Sequence, residues 1–229
     1  MPHIFKNNQE VATAFAKYLA QQIASAKTFN IALSGGSTPK VLFQIVAEQY
    51  ATTIDWQKVH LFWGDERCVP PDHSESNYGM TREKLIDHIP IPFANTHRVL
   101  GRRDPAEEAI RYGKEIQWCL PEKEGLPVFD MVLLGMGGDG HTASIFPHQM
   151  ELLTSPNICE VATHPESGQK RVTLTGKVIN QAKQIHFLVT GASKVEKVKA
   201  IFNKTEGYKK YPAAHMERAE WWMDEAAWG

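Results

Sequence analysis

One segment constrains the fold more than any other, residues 129–144 with the sequence FDMVLLGMGGDGHTAS. Its first half is rich in Val and Leu, too short for a helix and closed by glycine, which predicts a buried strand followed by a sharp turn. Four glycines within this turn suit a backbone whose amide N–H groups point outward. Open α/β sheets bind ligands beyond the carboxyl ends of their strands, so Asp139 and His141 are predicted site residues. A local packing or capping role for the histidine is the alternative.

Three more polar or glycine-rich loops follow predicted strands, at 34–39, 64–67 and 191–194. Strands alternate with helices along most of the chain, which predicts an α/β fold with a doubly wound, mostly parallel sheet and helices on both faces. No composition shift or linker divides the sequence, so residues 1–229 are expected to form a single domain. Since the loops after parallel strands gather along one sheet edge, all four are expected to share one site.

The loop at 34–39 reads SGGSTP and precedes a predicted helix from Lys40 to about Gln49. Thr38 is predicted to cap this helix, with Pro39 at its first position. Unpaired N–H groups and the positive end of the dipole make a helix start favourable for an anion. The GxxxxGK[ST] spacing is absent, so a nucleoside triphosphate is not indicated. An ordinary capped turn is the alternative interpretation.

The remaining loops add charged candidates. Asp65, Glu66 and Arg67 directly follow the predicted strand 58–63, although a solvated loop would also explain three ionisable residues in a row. Lys194 lies in the first turn of a predicted helix, where the dipole disfavours a cation unless an anion is near. Arg171 is predicted to share one face of a strand at 171–175 with threonines.

These residue types indicate a chemistry. Guanidinium, ammonium and amide N–H groups are the usual ligands of phosphate, and imidazole suits proton transfer near neutral pH. No serine stands in a GxSxG turn, so a covalent serine mechanism is not supported. The residues alone therefore predict a small phosphorylated metabolite, handled by proton transfer with no metal and no organic cofactor.

Composition excludes several classes of function. The 229-residue chain has a formal net charge of −1, which gives no general attraction to nucleic acid or membrane. It has neither a secretory signal pattern nor an apolar stretch approaching the ~20 residues of a membrane span, so a cytoplasmic protein is expected. Cys68, Cys119 and Cys159 are predicted to be free thiols, because they are odd in number and lack zinc-site spacing. A monomer is expected.

Three minor elements are predicted with no evident chemistry. Short strands are expected at 96–100 and 158–162. The tail from Tyr211 onward is expected to form a pair of extended segments and a last helical turn.

Several short segments, spread over nearly the whole chain, are specific in combination: SGGSTP at 34–39, WGDERCVP at 63–70, SNYGM at 76–80, GMGGDGHTASIFP at 135–147, RVTLT at 171–175, TGASK at 190–194, YPAA at 211–214 and the closing WWMDEAA. In these segments the chain resembles the 6-phosphogluconolactonase family. The resemblance implies a doubly wound α/β fold like that of glucosamine-6-phosphate deaminases and ribose-5-phosphate isomerases. It also implies hydrolysis of 6-phospho-D-glucono-1,5-lactone, the second step of the oxidative pentose phosphate pathway.

The resemblance further implies roles for individual residues. His141 would be the base that activates water, and Asp139 would orient it. Arg67 would contact either the phosphate or the oxyanion, and the sequence leaves both open. The implied binding residues for the phosphorylated substrate are Gly35, Gly36, Ser37, Thr38, Asp65, Arg171 and Lys194.

Two other functions are weighed against this one. The first is an isomerase or deaminase of amino sugar phosphates, but those enzymes carry DEY where this chain has DER at 65–67. Their DGH motif also continues to Asn-Glu-Pro, whereas this chain has TASIFP at 142–147. The second is a sugar-phosphate sensor without turnover; such proteins usually add a DNA-binding domain, for which this chain has neither a spare ~60 residues nor a basic helix.

Overall fold

The computed structural model describes residues 2–229 and contains seven helices and three sheets within that range. In chain order the strands are β1 (His3–Phe5), β2 (Phe29–Leu33), β3 (Val59–Trp63), β4 (Asp65–Arg67), β5 (Glu122–Lys123), β6 (Leu126–Pro127), β7 (Met131–Leu134), β8 (Cys159–Thr163), β9 (Lys170–Leu174), β10 (Gln184–Val189) and β11 (Glu220–Asp224). The helices are α1 (Asn8–Ser25), α2 (Ser37–Tyr50), α3 (Asn77–Lys84), α4 (Pro105–Cys119), α5 (Gly176–Gln181), α6 (Val195–Phe202) and α7 (Glu225–Trp228).

The main sheet has six strands in the order β1-β11-β10-β7-β2-β3, and every neighbouring pair is parallel. Its central strands are buried on both faces because side chains alternate between two hydrophobic cores. In β7, Met131 and Leu133 join the core that contains α1 and α2, whereas Val132 and Leu134 join the core on the opposite face. The predicted doubly wound α/β class is confirmed.

A second sheet of three antiparallel strands, β4-β9-β8, lies beside the main one. The alternative of a solvated loop at 65–67 does not hold, because Asp65 pairs with Thr173 and Arg67 with Arg171 across the β4–β9 ladder. The strands predicted at 158–162 and 171–175 exist with ends shifted by one residue, and both belong to this smaller sheet. Charged residues form a strand here because their backbone groups gain ladder partners, while Asp65 and Arg67 face a polar cavity and Glu66 is hydrogen-bonded on the other face.

The starts of α1 and α2 are capped differently. Asn7 caps α1 by accepting a hydrogen bond from the N–H of Glu10 at 3.0 Å. Helix α2 begins at Ser37 with Gly36 as its cap, so the prediction that Thr38 is the cap is wrong. Gly36 has φ +109°, a conformation that glycine adopts far more readily than other residues. The Thr38 hydroxyl instead hydrogen-bonds the Thr190 hydroxyl at 2.8 Å.

Two predicted extended segments are absent. Residues 96–100 form only one bridge, between Thr96 and Leu61. The Asn95 side chain donates to the carbonyl of Val59 at 3.0 Å, so it occupies a group of edge strand β3 that a further strand would need. In the tail, Pro212–His215 is a short 3-10 turn rather than extended chain, whereas β11 and the final helical turn are present.

Candidate active site

A cavity of about 220 Å³ lies at the carboxyl edge of the main sheet. All four predicted loops contribute to it, which places the segments 34–39, 64–67, 135–142 and 191–194 around one space. Every site residue predicted from the sequence lines this cavity except Asp139, which contacts it through His141, and the candidate Glu66, which lies on the other face of its strand. The cavity therefore lies where the carboxyl-edge rule for parallel sheets predicts a ligand to bind.

The glycines of the turn after β7 serve different purposes. Only Gly140 among them has a positive φ, +84°. Gly137 is needed for space, because a Cβ atom there would lie 2.2 Å from Nδ1 of His141 and 2.6 Å from a carboxylate oxygen of Asp139. Gly138 has nothing within 4 Å of the corresponding position. The turn thus allows one backbone segment to approach the histidine and its partner closely.

Asp139 and His141 form a tight pair. Nδ1 of His141 lies 2.6 Å from Oδ1 of Asp139, and the same oxygen accepts the His141 backbone N–H at 3.1 Å. Partial burial acts to raise the pKa of Asp139, but its bond to His141 and the histidine's charge lower it to about 2. An ionised carboxylate can only accept, so Nδ1 carries a proton, and in the neutral form of the ring Nε2 is the nitrogen with a free electron pair. Nε2 has no hydrogen-bond partner in residues 2–229, and the ring lines the cavity.

The small antiparallel sheet forms one wall of the cavity. Because side chains alternate along a strand, Asp65 and Arg67 of β4 line the cavity, and Arg171 of β9 stands beside Arg67 in the register. Nη1 of Arg67 donates to the Glu75 carbonyl at 2.6 Å, while its buried Nε has no hydrogen-bond partner among the described residues. Two guanidinium groups thus share one face of this wall.

Glu66 lies on the opposite face of β4 and has a structural environment. Its carboxylate accepts hydrogen bonds from the N–H groups of Asn77 and Tyr78 at the start of α3, from the Ser76 hydroxyl and from the N–H of Arg67. Burial raises the pKa of Glu66, and these hydrogen bonds oppose that rise. Strand alternation therefore separates the two adjacent carboxylates: Asp65 faces the cavity and Glu66 fixes α3 to the wall.

The cations of the cavity form no salt bridges among the described residues. No side-chain nitrogen of Arg67, Arg171 or Lys194 lies within 4.0 Å of a carboxylate oxygen in the described part of the chain. Burial lowers the pKa of Arg171, and the charge of Arg67 lowers it further, while Asp65 opposes both. Burial also lowers the pKa of Lys194, against the influence of Asp139. Such uncompensated positive charge favours an anionic ligand.

The start of α2 adds neutral donors to the same space. Gly35, Gly36 and Ser37 line the cavity, and the N–H groups of the first helical turn have no acceptor within the helix. Gly35 allows close packing, because a Cβ there would lie 1.9 Å from Oδ1 of Asn77. The glycines before this helix carry no side chains that would cover its N–H groups. The helix start therefore presents these N–H groups to the cavity.

Sequence reasoning missed three residues of the site. Asn77 and Thr190 line the cavity, and Ser144 lies buried behind it, where its hydroxyl donates to Oδ2 of Asp65 at 2.7 Å. Asn77 is the first residue of α3, and Thr190 directly follows β10, before the loop at 191–194. Both positions could have been found from the rule that strand ends and helix starts meet at this edge.

Two predictions concern cysteines and metals. Cys68, Cys119 and Cys159 are all free, as predicted. Residues 2–229 include no group of three or more His, Cys, Asp or Glu side chains arranged to hold a metal ion. No helix in the same range is both long and apolar enough to cross a membrane.

Comparison with solved structures identifies the class of fold. The crystal structure of a devB protein superimposes with a TM-score of 0.93 at 43% identity, covering 99% of this chain and 98% of the other. A monomeric glucosamine-6-phosphate deaminase superimposes with a TM-score of 0.85, covering 99% of this chain and 98% of the other. At 20% identity, the second likeness shows the fold alone.

Sequence comparison identifies the family. The model of the family described as glucosamine-6-phosphate isomerases/6-phosphogluconolactonase matches residues 6–228. A protein of Haemophilus influenzae named 6-phosphogluconolactonase is 46% identical over 203 residues, which cover 86% of this chain and 85% of that protein. The chain belongs to the glucosamine-6-phosphate isomerase/6-phosphogluconolactonase family, and the resemblance drawn from its motifs is confirmed.

Proposed function

We propose that this protein is an enzyme that hydrolyses 6-phospho-D-glucono-1,5-lactone to 6-phosphogluconate in the oxidative pentose phosphate pathway. The observation that carries the proposal is the Asp139–His141 pair, which faces the same cavity as Arg67, Arg171 and Lys194. A base at one position and an anion-binding wall at another suit a substrate that has both an electrophilic carbonyl and a phosphate. The names of the relatives, including that of Haemophilus influenzae, support the same reaction.

The proposed chemistry begins at Nε2 of His141. Asp139 fixes the tautomer in which Nδ1 carries the proton, so Nε2 accepts a proton from water as the water oxygen attacks the lactone carbonyl. The carbonyl oxygen gains negative charge, which in this proposal the guanidinium of Arg67 stabilises. When the tetrahedral intermediate collapses, the ring C–O bond breaks and the imidazolium returns the proton to the departing ring oxygen. The product is an open-chain carboxylate with a new hydroxyl group.

The proposed phosphate site combines Arg171 and Lys194 with the start of α2. The N–H groups of the first turn at Ser37 and Thr38 and the two cations supply the donors that a phosphate dianion prefers. Because phosphate contacts are present in both the ground state and the transition state, Arg171→Ala and Lys194→Ala are expected mainly to raise KM. A loss confined to kcat would instead place these residues at the reacting end.

The proposed reaction requires neither a metal nor an organic cofactor, because imidazole supplies the base and the guanidinium groups supply the electrostatic stabilisation. We propose that residues 1–229 act as a single domain and that the enzyme works as a monomer in the cytoplasm. Assay after dialysis against EDTA tests the metal-free step. Full activity is expected, and loss that added divalent cation restores would contradict it.

The decisive experiment measures hydrolysis of freshly generated 6-phosphogluconolactone in a coupled assay, with spontaneous hydrolysis subtracted. Unphosphorylated gluconolactone is assayed beside it. We expect fast turnover of the phosphorylated lactone only. Gluconolactone has no phosphate to bind to the cation wall, by which we mean Arg67, Arg171 and Lys194. Equal hydrolysis rates for the two lactones would contradict the proposed phosphate site. No acceleration of either hydrolysis would contradict the proposed reaction. Release of ammonia from glucosamine 6-phosphate is the readout for a deaminase instead.

A further inference from the structure

Ser144 occupies an unusual position behind the cavity wall. It is fully buried, and its hydroxyl donates to Oδ2 of Asp65 at 2.7 Å. Its backbone N–H donates to the hydroxyl of Thr173 at 3.2 Å, and Nη1 of Arg171 approaches its Oγ at 3.5 Å. One serine oxygen therefore stands between the carboxylate of Asp65 and the guanidinium of Arg171.

Asp65 and Arg171 do not form the ion pair that their positions would allow. Asp65 and Arg171 lie on paired strands and line the same cavity, and a carboxylate beside a guanidinium normally forms a short charge-assisted pair. In residues 2–229, however, no nitrogen of Arg171 lies within 4.0 Å of a carboxylate oxygen. Asp65 instead accepts the hydrogen bond from Ser144. The N–H groups of Arg171 that an ion pair with Asp65 would use therefore stay available.

The backbone before Ser144 holds the serine in this place. Ala143 has φ +49°, a left-handed conformation that is unfavourable for a residue with a side chain. The turn is closed by the N–H of Ile145, which donates to the Thr142 carbonyl at 2.9 Å, and by the Thr142 hydroxyl, which donates to the Gly135 carbonyl at 3.0 Å. A strained turn held by its own hydrogen bonds thus aims the hydroxyl at Asp65.

We propose that Ser144 is a positioning residue that holds Asp65 away from Arg171, so that the Arg171 guanidinium stays available for the anionic group of the ligand. The proposal rests on the proposed function only for the identity of that anion. Ser144 does not touch the reacting atoms. Its effect is on binding, because it keeps a competing internal carboxylate from occupying the guanidinium.

The first test is the crystal structure of Ser144→Ala. Without the hydroxyl, Asp65 is expected to turn towards Arg171 and form an ion pair shorter than 4.0 Å. If Asp65 stays where it is in the unaltered protein, the proposal is overturned. This readout does not depend on turnover, so it remains decisive even if the lactone is not the substrate; absence of wild-type turnover would refute the proposed function and leave this inference standing.

The second test is kinetic and separates positioning from general damage. Ser144→Ala is expected to raise KM for the phosphorylated lactone roughly 10-fold, the effect of one charge-assisted hydrogen bond, with kcat changed less than about 3-fold. In an Asp65→Asn background the same substitution should change KM less than about 2-fold, because no carboxylate remains to compete. Equal effects in both backgrounds, or a fall in kcat alone, would show that Ser144 acts in another way.

Ser155 offers a matched control. Its hydroxyl donates to Oε1 of Glu160 at 2.6 Å, which is the same type of serine–carboxylate hydrogen bond outside the cavity. Ser155→Ala should leave KM and kcat unchanged. A rise in KM equal to that of Ser144→Ala would mean that the effect does not come from the cavity wall, and would count against the proposal.

Discussion

His141 and His186 show how the same side chain is used in opposite ways in two regions of the molecule. His141 has one ring nitrogen bound to a carboxylate and the other beside a cavity. His186 is fully buried, its Nδ1 accepts from the indole N–H of Trp222 at 3.3 Å, and its Nε2 lies 3.1 Å from the side-chain oxygen of Gln184. His141 therefore keeps one ring nitrogen, Nε2, free to exchange a proton, whereas both ring nitrogens of His186 are hydrogen-bonded.

Their surroundings also differ in charge. The pair at His141 keeps Asp139 ionised, because the hydrogen bond to the imidazole lowers the pKa of this carboxyl to about 2. Burial among aromatic rings lowers the pKa of His186 to about 4, although the carboxylate of Glu220 opposes that shift. The comparison teaches that a charged partner and an open nitrogen together distinguish a reactive histidine from a packing one, and that burial alone does not.

The largest expected effect is at His141. In His141→Gln, kcat should fall by 10²–10⁴, the usual contribution of a general base, while binding of 6-phosphogluconate persists because the cation wall is intact. Steady-state kinetics and calorimetry with the product check the two parts. His186→Gln serves as the control, with kcat near the wild-type value at temperatures where the variant is folded. Near-normal turnover in His141→Gln would end the assignment of this residue as the base.

Acid is expected to lower the free energy of unfolding through protonation of His186. Its pKa in the folded protein, about 4, is below the ordinary value of 6.5, so between these pH values the unfolded chain binds a proton that the folded chain does not. The stabilisation is complete above pH 6.5 and is lost as the pH falls towards 4, by about 3 kcal/mol in free energy of unfolding. Urea titrations at pH 7 and pH 4.5 measure the loss.

A variant isolates this contribution to acid sensitivity. His186→Gln should flatten the dependence of unfolding free energy on pH, because the group that titrates between 4 and 6.5 is gone. The exposed His88 provides the comparison, since His88→Gln should keep the wild-type slope. The same slope in His186→Gln as in wild type would show that other groups dominate.

Adjacent glycines provide a sharp test of the geometry at His141. In Gly137→Ala the added methyl group would collide with Nδ1 of His141, so the ring must move and kcat should fall about 10²-fold, as for a misplacement of about 1 Å. Gly138→Ala adds the same methyl group where nothing lies within 4 Å, so turnover should change little. If the two variants have equal activity, the close approach seen at Gly137 is not needed for catalysis.

The smallest effect is expected at Trp222. Trp222→Phe keeps an aromatic ring but removes the N–H that donates to His186, which leaves a buried acceptor unpaired. The free energy of unfolding should fall by about 1–3 kcal/mol, with kcat and KM unchanged. Thermal or denaturant unfolding measures the loss, and a change in kcat would indicate that the two histidine regions are coupled.

The sequence predicted the main sheet and the place of the site well, because periodicity and glycine turns are local signals. Strand β3, at Val59–Trp63, lies within the predicted range 58–63, and the four loops meet at one sheet edge. The roles of the site residues remain predictions. The family resemblance came from short motifs in combination, and the comparison of sequences confirmed it.

The small sheet could not be predicted because its pairing is not local. Asp65, Glu66 and Arg67 are poor strand formers, and only the distant partner strand β9 and the polar cavity make an extended conformation favourable there. The sequence also could not separate Asp65 from Glu66, since the faces of a strand are defined only once the strand is known. The cap of α2 was assigned to Thr38 because Thr is a common cap, whereas Gly36 is required by its positive φ.

The wall between β4 and β9 has a consequence for folding kinetics. Its paired residues are roughly 100 positions apart in the chain, so their contact costs more loop-closure entropy than the neighbouring β2–β3 pair. We expect the β2–β3 pair to gain protection first and the β4–β9 wall of the cavity to form later. Pulse-labelled hydrogen exchange can compare two amides that meet at one residue: the N–H of Gly64, which donates to Leu33, and the N–H of Leu174, which donates to Gly64. Protection of Gly64 before Leu174 would mean that this edge of the main sheet forms before the cavity gains its β4–β9 wall.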